Sequence, residues 1–189
     1  RQFNFYHVPQ ALYEYRRHAH NLTNSHRLQL QAEVDVVRGF GHEELRRIVA
    51  SSSFSEADRL VLLAKILMKI GLFREAIAEL DEVDERFRQS VFYFLRGVCQ
   101  VRLNETLRAA DDFRQAIGLD EEMAEAYNNL GSVLTQLGQP NAARSLFATA
   151  LDIRPGYLDA ELNLQGVNPP RITQKPLRRS LTPYRLTLE

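Results

Sequence analysis

The sequence predicts an all-α fold, a solenoid of antiparallel helix pairs, and three observations lead there. First, Tyr127, Gly131, Ala143, Phe147 and Ala150 recur 34 residues earlier as Tyr93, Gly97, Ala109, Phe113 and Ala116. Another 33 residues back, Ala64, Ala76, Leu80 and Val83 fill the same slots, with Leu63 and Leu67 beside them. Second, Gly71, Asn104 and Gly138 fall between the two helices of successive hairpins, where a left-handed residue costs least. Third, 44% hydrophobic and 25% charged residues is an ordinary balance for a soluble chain, and no apolar run approaches the ~18 residues of a membrane span.

The spacing has a physical cause. Two helix axes come within about 8–10 Å only where the contact side chains are small. Gly97, Gly131, Ala64, Ala76, Ala109 and Ala143 suit those contacts. Leu80, Phe113 and Phe147 follow the alanines by one turn on the same helix face and fill the space between hairpins. With Leu130, Leu134 and Pro155 at their places, residues 124–157 strongly resemble a tetratricopeptide repeat. The resemblance implies three repeats, 57–89, 90–123 and 124–157, wound into a right-handed superhelix.

Taken in order, the chain opens on segments that do not follow the repeat. Phe5 to Val8 and Leu12 to Tyr15 are short, aromatic and broken by Pro9, which reads as extended or β structure. The run from His7 to His18, His-Val-Pro-Gln-Ala-Leu-Tyr-Glu-Tyr-Arg-Arg-His, continues to Asn21, Leu22 and Thr23. It resembles the closing segment of inverting family 2 glycosyltransferases. That resemblance implies that residues 1–24 are the remnant of such a domain, in a bacterial protein where tetratricopeptide repeats follow the enzyme. The chain starts at Arg1 without Met and reads as an internal fragment. The family holds its nucleotide sugar with a metal-binding Asp-x-Asp motif, which is missing here. His18 matches a late histidine used near the metal in some members, and His18 with His20 lacks a third ligand. The chain is therefore expected to be no enzyme by itself and to bind no cofactor or metal.

Residues 25–55 are expected to form an irregular helical hairpin capping the array: Arg27 to Val37, stopped by Gly39 and Gly41, and then Glu43 to Ala50. Ser55, followed by Glu56 and Asp58, is an N-cap with acids in the first turn, which suits the positive end of a helix. Asp81, Glu82, Asp84 and Glu85 read as a solvated face of a repeat helix. The only cysteine, Cys99, sits beside Gly97 and Val98 and reads as a buried inert thiol in a reducing, cytoplasmic protein. Leu158 to Gln165 reads as one more helix covering the open end, which completes the 56–166 array.

The zero net charge conceals an uneven distribution: residues 1–30 carry four Arg against one acid, residues 31–160 carry 15 basic against 21 acidic, and residues 161–189 carry five against two. The basic, proline-containing tail, 167–189, includes Arg171, Lys175, Arg178, Arg179 and Arg185. Dispersed charges without an aromatic platform make a poor nucleic-acid site, so the tail reads as solvated or loosely docked, with no nucleic-acid or membrane partner.

Function then rests on the solenoid surface. In tetratricopeptide proteins the first helix of each hairpin lines a concave groove for a peptide or a helix. Here that resemblance places Lys65, Met68 and Lys69 from the first repeat on the groove, then Phe94, Val98 and Arg102 from the second, and Asn128, Asn129, Ser132 and Gln136 from the third. Asn129 resembles the asparagines that grip peptide backbone in the repeats of O-linked N-acetylglucosamine transferases, while Leu62 and Leu95 hold that slot upstream. The expected role is a protein or peptide docking module; the alternative is a scaffold that only braces or dimerises its parent.

An aromatic strand that has lost its sheet seeks another edge, so residues 3–17 are expected either to pair with their copy in a homodimer, the favoured outcome, or to fold back over the first helices. Light scattering should show a dimer that is lost when the chain starts near Ser25; a monomer in both cases removes the expectation.

Overall fold

A computed structural model describes Asp35 and residues 37–176. The expected N-terminal strands, the homodimer segment, His18 and His20 and most of the Arg27–Val37 helix lie outside the described residues. The chain divides into two compact units between Glu44 and Leu45. In the first, helical residues end at the turn of Gly39, whose N–H donates to the Asp35 carbonyl at 3.1 Å. A helix, α1 (His42–Ala50), crosses the division.

The second unit is a row of helix pairs. Its helices are α2 (Glu56–Ile70) with α3 (Phe73–Asp81), α4 (Ser90–Arg102) with α5 (Thr106–Leu119), α6 (Ala124–Gln136) with α7 (Pro140–Ile153), and α8 (Leu158–Leu164). Among the described residues every regular element is helical. Ser55 caps α2 by accepting from the Asp58 N–H at 3.2 Å. Gly71 ends α2 at φ 87°, and Asn104 ends α4 at φ 61°, the left-handed geometry expected of both positions. Pro140 opens α7 where its missing N–H has no helical partner to lose.

Close approach within the second and third hairpins is glycine-dependent. A Cβ on Gly97 would stand 2.8 Å from Cε1 of Phe113, and one on Gly131 would stand 2.6 Å from Cε1 of Phe147. The aromatic ring of the second helix thus lies flush on the backbone of the first. Both rings are buried, as are Ala64, Ala76, Ala109, Ala143, Leu63, Leu67, Leu80 and Leu130. Burying each large side chain contributes roughly 1.5–3 kcal/mol.

Successive hairpins are also tied by charge. The Arg96 guanidinium on α4 donates twice to the buried Asp112 carboxylate on α5, at 2.8 Å each, and once to Asp81 at the end of α3 at 2.7 Å. It lies 5.0 Å over the Phe92 ring. The hydrogen bonds to Asp112 raise the Arg96 guanidinium's pKa above its ordinary value. Arg46 on α1 pairs with Glu82 and stands 3.4 Å from the buried Glu79, and Arg59 donates to the Ala50 carbonyl at 3.1 Å, so the end of α1 is fastened to the first hairpin.

The acidic cluster differs from expectation. Helix α3 ends at Asp81, and Asp84 caps a separate 3-10 turn, Glu85–Phe87. Each carboxylate has an arginine: Asp81 with Arg96, Glu82 with Arg46, Asp84 with Arg86, Glu85 with Arg88. Hydrogen bonds from Arg86 pull Asp84 down to about 2. The four carboxylates are exposed, as expected of a solvated cluster, but they are paired with arginines, and Asp84 and Glu85 lie beyond the helix.

Phe113→Ala is expected to cost ~3–5 kcal/mol in urea unfolding, as for a large-to-small change in a packed core. Gly131→Ala should cost ~1–3 kcal/mol by overpacking, which exceeds the ~1 kcal/mol that alanine gains over glycine in a helix. Unchanged unfolding midpoints for both variants would discard this packing.

Candidate functional site

The first helix of the third hairpin, α6, carries Asn128, Asn129 and Ser132, all of them 0% exposed. One repeat later, 34 residues beyond Asn129, α8 carries Asn163. What covers the three α6 side chains is the chain's own tail, Arg171 to Thr173, which returns after α8 and the turn at Gly166.

The contacts are made to backbone. The Asn129 side-chain amide donates to the Thr173 carbonyl at 2.8 Å while its oxygen accepts the Thr173 N–H at 2.8 Å. Asn163 repeats the arrangement on Arg171, donating to its carbonyl at 2.9 Å and accepting its N–H at 2.6 Å. A side-chain amide has one donor face and one acceptor face side by side, so it pairs with a peptide residue as a neighbouring strand does. Two such amides at repeat spacing hold residues i and i+2 of an extended segment.

The remaining polar atoms close the network. Ser132 Oγ donates to the Arg171 carbonyl at 2.8 Å, and Asn128 Nδ2 lies 3.2 Å from the same oxygen. Asn163 Nδ2 also donates to Asn128 Oδ1 at 2.8 Å. Thr173 Oγ1 donates to Asp159 Oδ2 at 2.8 Å and hydrogen-bonds the Tyr157 hydroxyl. Buried amides are stable only when satisfied in this way. Tyr157 is packed with Ala124, Ala150 and Ala160 at the joint between the third hairpin and α8, and burial raises its pKa well above the usual 10.0.

Of the groove residues named from the sequence, the structure brings together Asn128, Asn129 and Ser132. Phe94 and Val98 are fully buried and present no surface, which corrects their placement in a groove. They occupy the slots of Asn128 and Ser132 one repeat earlier, but being apolar they join the interior, where the Phe94 ring lies 6.0 Å from that of Phe113. Arg102 is exposed and stacks its guanidinium 4.9 Å over the Phe73 ring. Lys65, Lys69 and Gln136 are exposed and Met68 half-buried; none of these takes part in the hydrogen bonds to the tail.

Asn163, Tyr157, Asp159 and Thr173 escape the sequence reading. The signal for Asn163 exists: one more step of 34 from Asn129 lands on it. Treating α8 as a cap stops the register one repeat short. Cys99 is buried, and burial pushes its thiol up to about 12, so thiolate is negligible at neutral pH. No group of three or more His, Cys, Asp or Glu placed to hold a metal ion occurs among the described residues, and none of their helices is long and apolar enough to cross a membrane.

Comparison with known proteins agrees with the row of helix pairs. The tetratricopeptide-repeat profile matches residues 61–121 and again 94–157. A crystal structure of MamA superposes with a TM-score of 0.58 at 23% identity, covering 73% of this chain and 78% of that one. YrrB, described as a repeat protein of this kind with an unusual peptide-binding site, superposes with a TM-score of 0.55 at 19% identity, covering 67% and 66%. The all-α superhelix of antiparallel helix pairs is the fold they share.

Tyr157 gives the site a pH signature. Its folded pKa lies above 10.0, so beyond pH 10 the unfolded chain loses the phenol proton first and stability falls as pH rises, by at most ~1.4 kcal/mol per unit for one group. Tyr157→Phe removes that loss together with the hydrogen bond to Thr173, worth ~1 kcal/mol. Urea unfolding should find the wild type more stable than the variant at pH 8 and the difference shrinking above pH 10; a constant difference would count against the buried phenol.

Proposed function

The chain belongs to the tetratricopeptide-repeat family, and from that premise we propose that it is a protein-interaction module that takes an extended peptide across the first helices of its last repeats, in the concave groove of the superhelix. The observation that carries this reading is the amide pair, Asn129 and Asn163, each bonded to both backbone groups of one residue. A site that pairs with backbone accepts a segment by its conformation, and alternate side chains then supply selectivity. In YrrB the same fold carries a peptide-binding site.

The similarity of His7 to Thr23 to the closing segment of a family 2 glycosyltransferase supports placing this module beside such a domain, in a bacterial cytoplasmic protein. The module would present a partner or acceptor to that enzyme and contribute recognition without chemistry of its own. One observation favours a second reading, a scaffold with no external ligand: the clamp is filled by the chain itself.

Selection of displayed random peptides on the full chain, followed by titration of the synthetic winners, separates the two. Winners should lose at least about tenfold in affinity on the Asn129→Ala, Asn163→Ala variant, because four hydrogen bonds of ~0.5–1.5 kcal/mol each are removed. Winners indifferent to both substitutions would move the site elsewhere, and a library without winners would favour the scaffold.

A further inference from the structure

The tail in the clamp is more than a cover. We propose that residues 168–176 are a tethered ligand that competes with an external peptide of the same chemistry, an extended segment with threonine or serine in the pocket formed by Tyr157 and Asp159. This rests on the peptide-binding reading above and specifies what the site takes.

Three observations carry the inference. The tail is held as a ligand would be: both backbone groups of Arg171 and of Thr173 are used by the two asparagines, whereas a loop that merely rests on a surface has no reason to match the repeat spacing. Next, the Thr173 hydroxyl is read at both of its functions. It donates to Asp159 Oδ2 at 2.8 Å and bonds the Tyr157 hydroxyl, with Asn128 Nδ2 at 3.5 Å. A valine there would have the shape of threonine and leave the buried polar partners unsatisfied, which is how hydroxyl-specific sites reject apolar isosteres. Finally, Arg171 Nη1 stands 3.8 Å from Asp159 Oδ1 while half exposed, a weak preference for a basic residue two positions before the hydroxyl.

The tether makes competition quantitative. Only six residues separate Leu164, the end of α8, from Arg171. A tether this short gives an effective concentration of the order of millimolar. If the isolated segment binds with a dissociation constant of about 100 μM, the tail occupies the clamp about ten to one. An external peptide then sees its apparent affinity reduced about tenfold.

The probe is a fluorescein-labelled synthetic peptide of residues 168–176, titrated by anisotropy against the full chain. The opening variant is Thr173→Asp, which sets a carboxylate against Asp159 and ejects the tail. Circular dichroism verifies its helices; Thr173→Ala, which deletes the hydroxyl and the γ-methyl without adding charge, serves if Thr173→Asp unfolds. The opened chain should bind the probe about tenfold more tightly than the wild type. Binding should vanish when Asn129→Ala and Asn163→Ala are added, and should weaken about tenfold for a probe carrying valine in place of threonine. Hydrogen exchange should show the Arg171 and Thr173 amides protected in the wild type and unprotected in the opened chain. Equal probe affinity for wild-type and opened chains overturns the competition. An opened chain that binds the displayed peptides but not this probe overturns the proposed chemistry while the peptide-binding function stands. Probe binding that survives loss of both asparagines overturns the proposal and the clamp together.

Discussion

The whole array depends on a ring lying against a backbone. In the second and third hairpins the phenylalanine of the second helix rests where the first helix has no side chain, and the 2.8 and 2.6 Å clashes that a Cβ would meet at Gly97 and Gly131 show how little room is left. This contact fixes the distance between paired helices, and with it the direction in which each first helix turns its remaining faces. In the first hairpin Ala64 and Leu80 hold the corresponding positions, and both are fully buried. Because each hairpin meets only its neighbours, the geometry is passed along the chain one joint at a time. The clamp inherits its spacing from it: Asn129 and Asn163 reach residues i and i+2 of the same tail segment because α6 and α8 stand one repeat apart.

Between hairpins the sequence changes strategy along the array. At the slot of the clamp asparagines the first two repeats have Leu62 and Leu95, and Leu95 is fully buried. The third repeat and α8 have asparagine instead. An apolar slot at an open end would need a permanent cover, since exposed aliphatic surface is costly; an amide slot can be covered by peptide or by water at nearly the same free energy. The ion-pair network follows a complementary logic. Arg96, held by Asp112 and Asp81 under the ring of Phe92, lies where three helices meet, and its partners keep a charge at a half-buried site that would otherwise penalise it.

The repeat frame was legible because its residues are dictated by local geometry. Gly71, Asn104, Gly138, Ser55 and the alanine and glycine contacts each have one steric reason to be where they are, and that reason is visible in a string. The candidate site was legible only in part. Asn128, Asn129 and Ser132 announce themselves as amides and a hydroxyl where a core helix should be apolar, but Phe94 and Val98, in equivalent slots, could not be told from groove residues without knowing what packs on them. Asp159 lies on α8, and Thr173 lies beyond it, where the repeat pattern has ended. Their meeting depends on a return of the tail after Gly166, and no periodicity encodes that return. The tail reads from the sequence as solvated or loosely docked, whereas Arg171 and Thr173 are held by amide and hydroxyl hydrogen bonds, by the Asp159 carboxylate and by one long ion pair from Arg171.

The polarity of the clamp bears on how easily it can change occupant. If the tail leaves, Asn128, Asn129, Ser132 and Asn163 lose protein partners but gain access to water, so no buried donor or acceptor is stranded; the net loss is about 0.5–1.5 kcal/mol per hydrogen bond, against several times that for the bond itself in a dry interior. Releasing the tail also restores its backbone freedom, ~1–2 kcal/mol per residue, which offsets much of what those bonds contribute. Opposing contributions of similar size leave the docked and open states close in free energy. Were the same surface lined by leucines, as in the first two repeats, departure of the cover would expose apolar area with no compensation from water, and the face would behave as a permanent interface. Asparagine at the end of the array therefore makes the terminal surface exchangeable while the leucines inside it keep the array whole.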